Sequence, residues 1–257
     1  MPAALVTGIS RRGGIAAAVA RALTRQSWTV AGTGYRAYDE TEPWGADPNA
    51  PGRLLAEGVL SAWSEDDLGD AASAERVLVS AEEAVGPLTA LVIVHTESRL
   101  GGILDTSADD FDRHVAVNAR ATLLLCAAFA RRFRSEPGTG RVVAFTSRAL
   151  HGEVAYGASK AALERILVAA AAEFGPLGIT VNAVDPGPTD TGWMSADLHA
   201  RMREACPLGR VGMPDDAAEL VAFLCSPAGG WITGQILVSD GGASIAPAVR
   251  RGREPLV

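Results

Sequence analysis

A short apolar run, Ala3-Ala4-Leu5-Val6, passes directly into Thr7-Gly8-Ile9-Ser10-Arg11-Arg12-Gly13-Gly14-Ile15-Ala16, and an alanine-rich helical pattern continues through Leu23. A buried strand, a glycine turn and a helix in that order leave few folds open, and they suit close packing of helix on sheet. The same order is the physical recipe for seating a pyrophosphate. Glycines let the backbone come close, and a helix N-terminus presents free N–H groups. Gly8, Ser10, Gly14 and Ile15 are the candidate contacts, although a tight turn alone would use the same residues. Arg11 and Arg12 stand in the turn, where guanidinium groups suit an extra phosphate on an adenosine ribose.

The next strand runs from Trp28 to Thr33 and ends in Gly34-Tyr35-Arg36. A site for NAD usually places an acidic residue at the end of this strand, to bind the ribose 2′-hydroxyl. Here Arg36 stands at or beside that position, so NADP(H) is favoured and NAD(H) stays open. The polar stretch from Tyr38 to Arg53 shows no helical or strand period and reads as a surface loop near the cofactor. A weak third strand, Leu60 to Trp63, leads to Asp66-Asp67-Leu68, where an aspartate would accept a hydrogen bond from an adenine amino group or cap a helix. An amphipathic helix from Ala71 to Val85 precedes a buried strand, Ala90 to Val94. His95-Thr96-Glu97-Ser98 then occupies the carboxyl end of that strand, which faces the ligand crevice in an open parallel sheet. His95 and Glu97 are either close to the cofactor or polar loop groups without catalytic duty.

Ala108 to Phe133 reads as one long helix with Asn118 on a buried face, where a polar side chain needs partners. A strand from Arg141 to Thr146 delivers Ser147 to the same carboxyl edge. Tyr156 and Lys160, four residues apart, share one face of a helix running to Phe174. An ammonium ion beside a phenol stabilises the phenolate and pulls its pKa, about 10 when free, toward neutrality. Such a pair can serve as an acid, with Ser147 holding a substrate carbonyl. The spacing alone also occurs on ordinary surface helices. A strand from Leu177 to Val184 ends in the stiff turn Asp185-Pro186-Gly187-Pro188-Thr189-Asp190-Thr191, a candidate cover for a nicotinamide through Pro186, Gly187, Thr189 and Thr191. Residues 192–206 read as a helical substrate lid. There Trp193, Met194 and Met202 form either an apolar substrate wall or ordinary packing. A helix from Pro214 to Leu224 and a strand from Ile236 to Ser239 close a single domain spanning 1–243. The tail 244–257, with Arg250, Arg251 and Arg253, reads as disordered or as a contact between subunits.

Composition narrows the class. The 257 residues are 48% hydrophobic with 28 glycines and only 5% aromatic, which suits an α/β domain with a large core. Three scattered cysteines argue against a disulfide framework or a zinc cluster, and no metal site is expected. A net charge of -7 speaks against a nucleic-acid partner, while a local basic groove stays open. Met1-Pro2 leads straight into the first strand and no apolar run is long enough to cross a bilayer, so a cytoplasmic protein without membrane contact is expected.

Taken together, Thr7-Gly8, Asp67-Leu68, Asn118, Ser147, Tyr156 with Lys160, Asp185-Pro186-Gly187, Thr233-Gly234 and Asp240-Gly241-Gly242 resemble the short-chain dehydrogenase/reductase family along nearly the whole chain. The resemblance implies a Rossmann-type α/β fold, a doubly wound, mainly parallel seven-stranded sheet with helices on both faces, in a homotetramer or homodimer. It implies Tyr156 as general acid/base, Lys160 lowering its pKa and holding the nicotinamide ribose, Ser147 orienting the carbonyl, and Asn118 holding a water. Three departures stand out. The glycine turn fits best with a two-residue insertion that makes Gly14 and Ala16 its second and third small positions, similar to the widened loop of bacterial enoyl reductases. Ile93-Val94-His95-Thr96 replaces N-N-A-G, and Ser147 lies only nine positions before Tyr156. The expected activity is ketoreductase-like hydride transfer between nicotinamide and a small-molecule carbonyl or alcohol, with an apolar substrate as one reading. The rival is a degenerate cofactor-binding member of the family with a regulatory or structural role.

Overall fold

The computed structural model describes residues 1–148 and 152–245. Seven strands, β1 (Ala3–Thr7), β2 (Thr29–Gly34), β3 (Ala62–Glu65), β4 (Ala90–Ile93), β5 (Gly140–Phe145), β6 (Ile179–Asp185) and β7 (Ile236–Val238), form one sheet. Their order is β3-β2-β1-β4-β5-β6-β7, and every pair is parallel. Parallel strands are covered on both faces, which is why β1, β4 and β5 read as unbroken runs of buried residues. One core lies between the sheet and α4 (Ser73–Val85), α6 (Ala121–Arg132) and α7 (Val154–Phe174), and the other between the sheet and α1 (Ile15–Arg25) and α9 (Pro214–Cys225). The alanines of α1 let that helix lie close to α9, with Ala17, Ala20 and Leu23 fully buried.

The chain reverses its winding between β1 and β4, so the carboxyl ends of these neighbours open the crevice that an α/β sheet uses for ligands. The backbones meet there. Gly8 has a φ of 81°, and a Cβ on it would stand 2.7 Å from the His95 nitrogen.

Several elements differ from the sequence expectations. The stretch from Tyr38 to Arg53 is not a plain loop: it contains α2 (Arg36–Thr41) and α3 (Ala50–Ala56). Both are too short to show a period. Pro51 stands in the first turn of α3 and Leu54 anchors it in the core, burial worth about 1.5–3 kcal/mol. Strand β3 starts two residues late because its pairing with β2 sets Gly34 opposite Glu65, and that register carries Glu65 to Arg36. The helix expected over Ala108–Phe133 is interrupted: α5 (Ala108–His114) passes through a widened π turn, Val115–Arg120, before α6. Beyond β6, α8 (Ala196–Ala205) is N-capped by the Ser195 hydroxyl, which accepts from Leu198 N at 3.2 Å, and none of its residues is buried. The basic tail lies outside the described residues. Among the described residues no helix is long and apolar enough to cross a membrane, and no cluster of metal-ligating side chains occurs.

Gly8→Ala combines an unfavourable φ with a backbone clash. The substitution is expected to lower the unfolding free energy by about 2 kcal/mol or more in urea denaturation, whereas an unchanged midpoint and slope would show that the β1–β4 contact gives way cheaply.

Candidate active site

Strand β5 and helix α7 build the centre. Thr146 continues the ladder past β5, its N–H donating to Val184 O at 2.9 Å, and this sets Ser147 at the carboxyl edge. One turn of α7 separates Tyr156 from Lys160. The lysine is 2% exposed, its amine donates to Phe145 O at 2.9 Å, and no carboxylate pairs with it among the described residues. Burial draws its pKa down from 10.5 to about 7. The hydroxyls of Ser147 and Thr96 act on the Tyr156 phenol, each favouring its ionised form. The nine-residue spacing therefore does not displace Ser147 from the site.

The expectation that Lys160 lowers the tyrosine pKa is corrected. Burial pushes the Tyr156 phenol up to about 12; the Ser147 hydrogen bond opposes this, and Glu153 and Asp185 add to it. The lysine ammonium lies 5.7 Å from the ring centroid, where it offsets little of that cost. At neutral pH Tyr156 holds its proton.

Asn118 sits fully buried in the π turn. Its Oδ1 accepts from Glu97 N at 2.8 Å and Thr96 Oγ1 at 3.2 Å, while its amide donates to Glu97 O and Ser159 Oγ, both at 2.9 Å. Two donors and two acceptors are all an asparagine has. The side chain therefore has no position left for the expected water. It acts as a clamp: Ser159 donates in turn to Tyr156 O at 2.7 Å, so one amide ties the loop after β4 to the Tyr156 turn of α7. Thr96 and Ser159 were not singled out from sequence. Only the hydroxyl standing where the family has glycine, and the serine inside Tyr156-Gly157-Ala158-Ser159-Lys160, could have signalled them.

The predicted cofactor residues gather along the same edge. Gly14 is the N-cap of α1 and makes no side-chain cap, and no acidic residue stands in the first turn, so the N–H groups from Ile15 onward face the turn that Ser10 also lines. Arg11 donates to Thr191 Oγ1 at 3.1 Å, pairs with Asp39 at 3.5 Å and lies over Trp44. Thus the segment after β6 already reaches the glycine turn. Arg36 donates through Nε to Glu65 at 3.0 Å and lies over Trp63. Arg12 turns aside, to Glu57 at 2.8 Å. Near the turn Pro186-Gly187, Gly187 N donates to Asp185 Oδ1 at 3.1 Å and the Thr189 hydroxyl bonds back to Pro186 O at 3.3 Å.

Asp67, Glu97 and His95 all spend polar atoms on protein partners. Asp67, beside the buried Leu68, accepts from Gly69 N at 2.8 Å and from both terminal nitrogens of Arg113 at 3.0 Å; it stabilises its own loop and does not cap α4. Arg113, which sequence reading missed, reaches on to the buried Glu97 at 3.1 Å, and Arg99 pairs with the other oxygen of Glu97 at 3.1 Å. Glu97 is an ion-pair centre. His95 spends both ring nitrogens inside the protein, on Thr7 Oγ1 and Val117 O, so its ring offers a cofactor no nitrogen. The replaced N-N-A-G motif leaves no gap in the bonding. An uncapped helix N-terminus, a glycine with no room for a Cβ and two arginines at the adenosine end fit a nicotinamide dinucleotide.

Lys160 links this site to stability. Below about pH 7 its amine is charged in both folded and unfolded states and the fold carries the whole burial cost; from there to 10.5 only the unfolded chain binds the proton, and above 10.5 the cost is gone. Lys160→Met should raise Tm most below pH 7, with a gain that shrinks steadily toward pH 10.5. A gain independent of pH in scanning calorimetry would show that the amine is not held at a lowered pKa.

The family model described as enoyl-(acyl carrier protein) reductase matches residues 8–244. An uncharacterized oxidoreductase of Bacillus subtilis (strain 168), YjdA, is 37% identical over 244 residues, covering 93% of this chain and 95% of that protein. A short chain dehydrogenase from Burkholderia cenocepacia J2315, crystallised with NADP, superposes with a TM-score of 0.81 at 35% identity, covering 95% of this chain and 98% of that one. BdcA, crystallised with NADPH, gives 0.79 at 30% identity, covering 93% of each chain. With its parallel sheet, its Ser147-Tyr156-Lys160 centre and these matches along almost its full length, the chain belongs to the short-chain dehydrogenase/reductase family of NAD(P)-dependent oxidoreductases.

Proposed function

We propose that the protein is an NADP(H)-dependent oxidoreductase acting on carbonyl or alcohol carbons, with reduction as the favoured direction. The observation that carries this reading is Tyr156: a phenol held protonated by burial, with the Ser147 hydroxyl beside it and the Lys160 amine one helical turn away. The bound nicotinamide would supply the hydride. The Ser147 hydroxyl holds the substrate oxygen, and Tyr156 O–H donates its proton to that oxygen as negative charge grows there. Lys160, one helical turn from the phenol with its amine on Phe145 O, is placed to hold the nicotinamide ribose. Asn118, through Thr96 and Ser159, keeps the phenol and its helix turn in place.

Arg36 and Arg11 support the preference for a 2′-phosphate, since each lies at the adenosine end of the crevice and each is paired with a carboxylate through contacts that a phosphate could replace. The neighbours crystallised with NADP and NADPH point the same way. Helix α8, which buries none of its residues, suits a cover that closes over substrate.

The reading is tested by titrating nicotinamide fluorescence with NADPH and NADH side by side, then screening ketones and aldehydes. Tyr156→Phe should keep NADPH affinity while lowering kcat by about a hundredfold or more. In the wild type, oxidation of the matching alcohol needs the phenolate and should rise toward about tenfold per pH unit below the tyrosine pKa; equal turnover by the Phe variant would remove Tyr156 from the proton step. Arg36→Ala should reduce the NADPH-over-NADH preference by about tenfold, the worth of one charge-assisted hydrogen bond. An unchanged ratio would assign the phosphate to another residue.

A further inference from the structure

His95 is bonded at both ends of its ring to different parts of the site. Its Nδ1 lies 2.8 Å from Thr7 Oγ1 and its Nε2 2.9 Å from Val117 O. Thr7 Oγ1 also accepts from Val94 N at 3.0 Å and from His95 N at 3.3 Å. A hydroxyl has one proton and two lone pairs, so with both lone pairs used its proton goes to Nδ1. The imidazole must then carry its own proton on Nε2 and donate it to Val117 O. Burial, helped by the Lys160 charge, outweighs the opposing Val117 hydrogen bond and the Asp67 charge and holds the His95 pKa down at about 3, so the ring stays neutral in this one tautomer.

The two ends serve different machinery. Thr7 is the last residue of β1 and precedes Gly8, where the backbone comes close to that of His95. Val117 precedes Asn118 in the π turn, and the saturated Asn118 amide holds Thr96 and Ser159 around Tyr156. Nothing else among the described residues bonds a side chain to both the glycine-turn strand and the π turn.

We propose that His95 is a positioning residue, a neutral strut whose Thr7 end sets the cofactor turn and whose Val117 end sets the turn that holds the proton donor. The proposal rests on the function assigned above. It makes the two bonds separable, because asparagine places an acceptor oxygen near the Nδ1 position and glutamine places a donor N–H near the Nε2 position.

His95→Asn keeps the Thr7 bond and loses the Val117 bond. It should bind NADPH within about twofold of wild type and lose about fivefold to tenfold in kcat, the effect of one net hydrogen bond. His95→Gln keeps the Val117 bond instead and should show the reverse: kcat within about twofold, NADPH binding weaker by about fivefold to tenfold. The assay uses NADPH with the best substrate from a panel of simple aryl and alkyl ketones, and thermal melts confirm folding. Opposite effects in the two variants support the strut. Parallel losses in both, no change in either, or failure of both to fold would overturn it and leave a plain packing role.

A second readout needs no turnover. In the ligand-free protein, nitrogen NMR of the histidines should show one ring with a protonated Nε2 and a bare Nδ1 that does not titrate between about pH 5 and pH 9. A His95 ring that titrates near 6.5, or one protonated on Nδ1, would overturn the strut whatever the kinetics show. A wild-type protein that neither binds NADPH nor reduces any ketone would instead sink the proposed function, with the NMR result still deciding the strut.

Discussion

The arrangement depends on how closely the carboxyl ends of β1 and β4 approach. The winding of the sheet reverses between these two strands, so their loops part to opposite sides and leave a crevice. Gly8, with a positive φ and no room for a Cβ, lets the backbones close up at its floor. Thr7 then finds two N–H groups of the β4 chain within reach of its hydroxyl, and His95 extends the connection to the π turn. From that turn Asn118 reaches α7. The glycine turn and the Tyr156 turn of α7 are thereby joined by a continuous set of bonded groups.

Burial, more than charge, sets the chemistry of the centre. Tyr156 is pushed up and Lys160 down because both lose water in the same pocket, and no carboxylate compensates the amine among the described residues. The outcome is a protonated phenol beside a partly charged lysine, a pair suited to giving a proton away. Elsewhere the charges are paired. Arg113 holds Asp67 and Glu97, Arg36 holds Glu65, and Arg11 holds Asp39.

Much of this was legible in the chain. The order of strands and helices, the glycine turn, the carboxyl-edge position of Ser147 and the shared face of Tyr156 and Lys160 follow from local periodicity and from spacings of a few residues. Short elements were not legible: α2 and α3 are held by single anchors such as Leu54, which leave no period to read. The shift of β3 was also hidden, because strand register is chosen by the partner strand and Leu60 is as apolar as any strand residue.

The sequence by itself determined the family and the parallel α/β architecture, and it put Tyr156 and Lys160 on one helix face, because those rest on patterns that neighbouring residues carry together. The tertiary structure decided what each polar group is for. Asn118 became a saturated clamp, Asp67 and Glu97 became partners of Arg113, and His95 became a bridge. Each of those roles depends on a contact between residues far apart in the chain, as with Thr7 and His95, 88 positions apart, or Asn118 and Ser159, 41 apart. A side chain's hydrogen-bonding capacity is written in its residue type, but the partner that uses it is supplied only when the sheet brings distant loops to one edge.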